Sequence, residues 1–214
     1  MISNLFITLL LAFTNMTYIQ EENEHVKFRK EGDEAFKNRD YGKALEAYES
    51  ALAALPQGEN LDAEMIFNTA NCARRINNNE KALKYFIQSK ELNHKADMSV
   101  YYAASALKEL GKEEEMEQML LKAVDGFKTS NILGHMKKML VTYYLEKCTE
   151  PYNQASQMLS SASNATSSQY DEIIKRVNEA FAKAKPWFEK VLIYDANNES
   201  ALASLKEIDS HLEK

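Results

Sequence analysis

Apolar and polar positions follow helical spacing along most of the chain. Residues 32–56 read GDEAFKNRDYGKALEAYESALAALP, and large apolar side chains recur there at intervals of three or four residues. Small residues stand between them, namely Gly32, Ala44 and Ala51. Asp40 and Gly42 separate two helical patterns, and Pro56 ends the second. The pattern predicts two short amphipathic helices joined by a tight turn.

The same order of small and large residues recurs further along the chain. Residues 63–96 repeat it, and residues 97–130 repeat it again in a more degenerate form. A fourth copy is predicted over 131–197, split by an insertion at 148–170. Residues 198–213 read as one last amphipathic helix, which would cover the open end of the stack.

This recurrence resembles the tetratricopeptide (TPR) repeat, a helical hairpin of about 34 residues. The first copy then covers about 25–58. The resemblance implies an all-α fold, a right-handed α-solenoid of TPR helical hairpins within 21–214 that ends in a capping helix. The chain is also similar to exported bacterial cell-envelope TPR proteins, because an apolar N-terminus precedes the repeats and YDANNESALASLKEI follows them. The alternative is an irregular helical bundle.

Local signals predict breaks within the split repeat. Thr149-Glu150-Pro151 has the composition of a helix start, since proline is tolerated in the first helical turn. Residues 160–168, SSASNATSS, predict a small polar loop. Pro186 predicts a kink in the helix that contains AKAKPWFEKV.

Residues 1–20 differ from the rest in having no charged side chain. The run LFITLLLAF, residues 5–13, is too short to span a bilayer but has the length of the apolar core of a secretory signal. Basic residues before it and a clear cleavage site after it are missing. We expect export to the periplasm or cell envelope. The alternative is a cytoplasmic protein in which 1–20 is an ordinary helix.

Composition argues against two classes of protein, general nucleic-acid binders and all-β folds. The 214 residues hold 26 basic and 32 acidic side chains, a formal charge of -6. That balance argues against a general nucleic-acid binder, which needs a basic face. Only 6 glycines and 3 prolines occur, too few for the turns of an all-β fold.

No arrangement of residues indicates catalysis. The four histidines are scattered, and no nucleophile, phosphate-binding or dinucleotide-binding motif occurs. Two cysteines cannot build a zinc site of four thiolates. We expect Cys72 to be a packing residue and no disulfide to link it to Cys148. The sequence predicts a protein that is not an enzyme and holds no metal or cofactor.

The TPR resemblance implies a concave groove lined by the first helix of each repeat. In the family's register these positions hold more basic than acidic residues, with aromatic rings beside them. The candidate ligand-binding residues are Arg29, Lys30, Phe67, Asn68, Asn71, Arg74, Arg75, Tyr101, Tyr102, Lys137 and Lys138. Such a surface suits an extended acidic peptide or a C-terminal carboxylate. Solvated helix faces with no ligand remain an equal alternative.

These features predict a protein–protein interaction scaffold that binds a peptide or protein segment. One TPR class binds the acidic tails of heat-shock chaperones through a clamp of basic and amide residues. Asp33, Met98 and Tyr102 stand at three of its positions, so that ligand is not expected. The alternatives are a structural, self-associating TPR protein of an envelope assembly and a cytosolic co-chaperone-like adaptor.

Overall fold

The computed structural model describes residues 24–163 and 165–212, and the regular elements among them are all α-helices. The chain divides into two compact units, Met1–Ala123 and Val124–Lys214. The segment 1–20, for which we predict export, lies outside the described residues.

Six helices form the described part of the N-terminal unit, and the sixth ends just past its boundary. They are α1 (24–37), α2 (Tyr41–Ala53), α3 (Ala63–Arg75), α4 (Asn79–Glu91), α5 (Ala96–Glu109) and α6 (Glu113–Gly126). α2 packs on α3, α3 on α4, and α4 on α5. From α2 to α5, each helix therefore packs on the next one in the chain, as expected for successive helical hairpins.

Short polar side chains cap the N-terminus of the second helix in two of the hairpins. Asp40 Oδ1 accepts the amide hydrogen of Lys43 at the start of α2. Asn78 Oδ1 accepts that of Lys81 at the start of α4. Each bond satisfies a backbone donor that the first helical turn leaves without an intrahelical partner. Asp40, which separates the two helical patterns in the sequence, is thus the N-cap of α2.

Gly32 and Tyr48 show why the first hairpin needs a small residue. The Tyr48 side chain is fully buried, and its hydroxyl donates to Asp33 Oδ1 at 2.8 Å. Burial and the Asp33 carboxylate raise the pKa of this hydroxyl, which therefore stays neutral. A Cβ atom on Gly32 would lie 2.6 Å from the Tyr48 ring. The glycine at position 32 therefore lets α1 and α2 approach closely.

Glu49 ties α2 to α4. Its carboxylate accepts from Lys81 Nζ at 2.7 Å and from the Tyr85 hydroxyl at 3.1 Å. Burial, with help from the neighbouring carboxylate, raises the pKa of Tyr85 to about 12. The hydroxyl therefore remains a donor at neutral pH and fixes the stacking of one hairpin on the next.

The C-terminal unit contains a long helical hairpin and one further helix. Its described helices are α7 (Leu133–Ala162), α8 (Ser167–Tyr194) and α9 (Glu199–Leu212). α7 packs on α8, and α9 packs on α8. Asn198 Oδ1 accepts the amide hydrogen of Ala201 and so caps the N-terminus of the last helix.

Aromatic rings fill the seam of the long hairpin. Tyr144 on α7 lies 6.0 Å, between ring centroids, from Trp187 on α8. Further along, Tyr152 lies 5.8 Å from Phe181 and 5.5 Å from Phe188. Trp187 is therefore a packing residue of this seam.

The helix start predicted at Thr149-Glu150-Pro151 is wrong. α7 continues through Pro151, because Cys148 and Ala155 on either side of it are buried and Tyr152 packs between two rings of α8. Tertiary packing thus overrides the cost of an interior proline. The loop predicted over 160–168 is shorter than expected, since α7 ends at Ala162 and α8 begins at Ser167.

Both cysteines are free and buried. Burial raises the pKa of Cys72 to about 12 and that of Cys148 to about 11. The reactive form of a cysteine is its thiolate, which is scarce under these conditions at neutral pH. Packing is the role that this environment supports, as predicted for Cys72.

Candidate peptide-binding surface

The candidate surface of the N-terminal unit is built on α1, α3 and α5. Two polar contacts position α1 and α3. The Arg29 guanidinium forms an ion pair with Asp62, the N-cap residue of α3, at 2.6 Å. Asn68 on α3 lies beside the Tyr48 hydroxyl, which donates to Asp33. The surface is therefore anchored to the core of the first hairpin.

Arg74 of α3 contacts α5 on this surface. Its guanidinium carbon is 4.4 Å from the centroid of the Tyr102 ring, so the cation stacks on an aromatic face. Its Nη2 donates to Asn71 Oδ1 at 3.4 Å. Its Nε is buried and has no hydrogen-bond partner. Tyr101 extends the group, with its ring 5.4 Å from that of Tyr102. We call Asn71, Arg74, Tyr101 and Tyr102 the Arg74 cluster.

The other predicted residues of α1 and α3 differ in accessibility. Lys30 and Arg75 are exposed, and Arg75 lies 5.7 Å from the Tyr41 ring centroid. Phe67 is only 5% exposed and packs edge-on against Phe86. Its ring therefore supports the surface from below and offers little area to a ligand.

Lys137 and Lys138 belong to the other unit. Both stand on α7, where Lys137 is half-buried and Lys138 is exposed. The remaining predicted residues all lie in the N-terminal unit, where the structure brings Asn71, Arg74, Tyr101 and Tyr102 together.

Sequence reasoning missed the acidic partner of Arg29 on this surface. Asp62 neutralises part of the charge of Arg29, and Asp33 is engaged by Tyr48. An aspartate directly before the helical run of α3 signals an N-cap, but its second role as a counter-ion depends on how α1 packs against α3. The basic character of the surface therefore rests mainly on Lys30, Arg74 and Arg75.

Two further observations concern the described residues 24–163 and 165–212. No helix among them is long and apolar enough to cross a membrane. No group of three or more histidine, cysteine, aspartate or glutamate side chains in this part of the chain is placed to hold a metal ion.

The sequence matches no protein-family model and no curated protein. Several solved structures are similar in fold. A TPR-repeat protein from Bacteroides fragilis aligns with a TM-score of 0.55 and 16% identity, over 87% of this chain and 98% of its own. The MamA protein aligns with a TM-score of 0.45 and 13% identity, over 90% and 94%. The TPR2AB domain of yeast Sti1, in a complex with pHSP90, gives 0.42 and 16%, over 89% and 78%.

The Bacteroides fragilis structure defines the class of fold. The chain has the all-α fold of TPR-repeat proteins, and the fold predicted from its recurring small and large residues is confirmed.

Proposed function

We propose that this chain is a non-catalytic scaffold that binds an extended, acidic segment of a partner protein on α1, α3 and α5. The observation that carries the proposal is the Arg74 cluster. It places a cation, an amide and two aromatic rings on one surface of a TPR fold. Carboxylates would pair with the cation, and apolar side chains of the ligand would pack on the rings.

The unpaired Nε of Arg74 supports a carboxylate ligand in particular. A buried donor without a partner costs about 1–3 kcal/mol. Nε and the adjacent terminal nitrogen form one edge of the guanidinium. That edge matches the two oxygens of a carboxylate in a bidentate pair. The exposed Lys30 and Arg75 would extend the favourable potential along the surface.

Replacing Arg74 with glutamine should weaken this binding. The probe is a fluorescent peptide of alternating glutamate and phenylalanine, and its lysine–phenylalanine counterpart tests the sign of the charge. Losing a charged hydrogen-bonding group of this kind should raise the Kd by about 10- to 100-fold. Fluorescence anisotropy measures the change, and the basic peptide should bind weakly to both proteins.

The matched control is Arg176→Gln, which makes the same change at an exposed position of α8 in the other unit. It should leave the Kd unchanged. Equal affinity of Arg74→Gln and the wild type for the acidic peptide would contradict the proposed site. Equal affinity for the acidic and basic peptides would contradict the proposed ligand chemistry.

We also propose that the protein is exported to the periplasm or cell envelope. The support is the uncharged N-terminus and its nine-residue apolar run, 5–13. Expression of the full chain in a bacterial host, followed by fractionation and intact-mass measurement, tests this. We expect a periplasmic or membrane-associated product, shortened if the segment is cleaved. A full-length product confined to the cytosol would overturn export.

A further inference from the structure

A stripe of exposed residues runs along α9. Positions 199, 202, 203, 206 and 210 share one side of the helix because they are three or four residues apart. All five are exposed: Glu199, Leu202, Ala203, Lys206 and Ser210. Leu202 leaves 47% of its area in water, although it is a large apolar side chain. We call these residues the α9 stripe.

The opposite side of α9 is fixed to the long hairpin. Ala201 and Ile208 are fully buried there. Asp209 pairs with Lys185 of α8 at 2.8 Å, and the Tyr152 hydroxyl of α7 donates to Glu207. α9 therefore cannot rotate its stripe inwards without breaking these contacts. Nothing in the described part of the chain covers the apolar centre of the stripe.

The charges of the stripe are arranged symmetrically about its apolar centre. Glu199 and Lys206 each lie 3.5 residues from the midpoint between Leu202 and Ala203, which is about 5 Å along the helix axis. Neither side chain takes part in an ion pair within the described residues. A surface of this kind is complementary to a copy of itself turned end to end.

We propose that the α9 stripe binds the α9 stripe of a second copy of this chain, antiparallel and about a two-fold axis through that midpoint. Glu199 of each copy then faces Lys206 of the other, and Leu202 packs against the opposite Ala203. Such an interface is isologous, since both copies use the same patch. This inference is independent of the proposed peptide-binding surface, which lies on other helices.

The proposed interface is small, and a small interface implies a low affinity between the two copies. One helical stripe offers far fewer residues than the roughly 20–30 per side of a standard stable interface. The dimer should therefore be weak and dependent on concentration. Sedimentation velocity on the full chain, from about 10 µM to 1 mM, covers the range expected for weak interfaces. We expect the weight-average mass to rise towards that of a dimer over this range.

Charge reversal tests the proposed pairing. Glu199→Lys alone and Lys206→Glu alone each place two pairs of like charges across the axis, so each variant should remain monomeric. The double variant Glu199→Lys/Lys206→Glu should dimerise again. Mixing the two single variants should also restore the dimer, because each lysine then faces a glutamate. The double variant distinguishes this arrangement from a parallel one, in which 199 faces 199 and 206 faces 206, so that like charges would meet in the wild type and in the double variant alike.

The apolar centre has its own test. Leu202→Lys should prevent association, whereas Ile76→Lys should not, although Ile76 is 43% exposed and so a matched exposed apolar residue. Circular dichroism checks that each variant is folded. A wild type that stays monomeric up to about 1 mM would overturn the proposal, since that range includes weak interfaces. Association that persists in both single charge variants would overturn it as well.

Discussion

Replacing Gly32 with valine is expected to lower the free energy of unfolding by about 3 kcal/mol, at the upper end of the range for overpacked cores. The new Cβ would lie 2.6 Å from the Tyr48 ring, and the valine methyl groups would add to the overlap. The ring cannot move aside cheaply, because it is fully buried and its hydroxyl is bonded to Asp33. Urea unfolding of the full chain, followed by far-UV circular dichroism, measures the loss.

Gly42→Val is the matched control in the same hairpin. A Cβ atom on Gly42 meets no atom within 4 Å. Surface changes of this kind usually alter stability by no more than about 0.5 kcal/mol. If Gly32→Val were as stable as Gly42→Val, the close approach of α1 and α2 would not be what requires glycine at position 32.

The hairpins of the N-terminal unit could be predicted because their signals are local. A helix cap such as Asp40 lies beside the residues that it serves, and the alternation of small and large residues follows directly from helix-to-helix packing. The contacts between hairpins could not be predicted. Lys81 reaches Glu49 across 32 positions of sequence, and no pattern in a single chain marks the two as partners.

The sequence predicted where the candidate surface lies better than it predicted which side chains are accessible on it. Family register placed Asn71, Arg74 and Tyr102 on it, and the structure brings these three together. The same register placed Phe67 on it, yet that ring is buried, because register fixes the direction of a side chain and not what covers it. Whether these residues bind a peptide stays a prediction.

The helix start predicted at Pro151 was wrong for an identifiable reason. Proline near a helix start is a local signal, and Thr149-Glu150-Pro151 has that form. The signal for a continuous helix is spread over a longer stretch, at Tyr144, Cys148, Tyr152 and Ala155. These four residues share one face, and three of them are buried while Tyr152 packs on the rings of α8. The packing of a helix face that continues on both sides of a proline outweighs the cost of that proline.

Pro151→Ala is therefore expected to stabilise the C-terminal unit by about 3 kcal/mol, the cost usually given for an interior proline. Proline at this position cannot donate to the carbonyl four residues earlier, and its ring crowds that turn of the helix. Alanine restores the donor and removes the crowding while the seam on either side stays unchanged. The fluorescence of Trp187, the chain's single tryptophan, follows urea unfolding of this unit.

Asn153→Ala is the control, at an exposed position two residues along the same helix. It gains only helix propensity, at most about 0.7 kcal/mol. The difference between the two variants isolates the backbone effect of proline. A gain from Pro151→Ala no larger than that of Asn153→Ala would mean that α7 already compensates for the missing hydrogen bond.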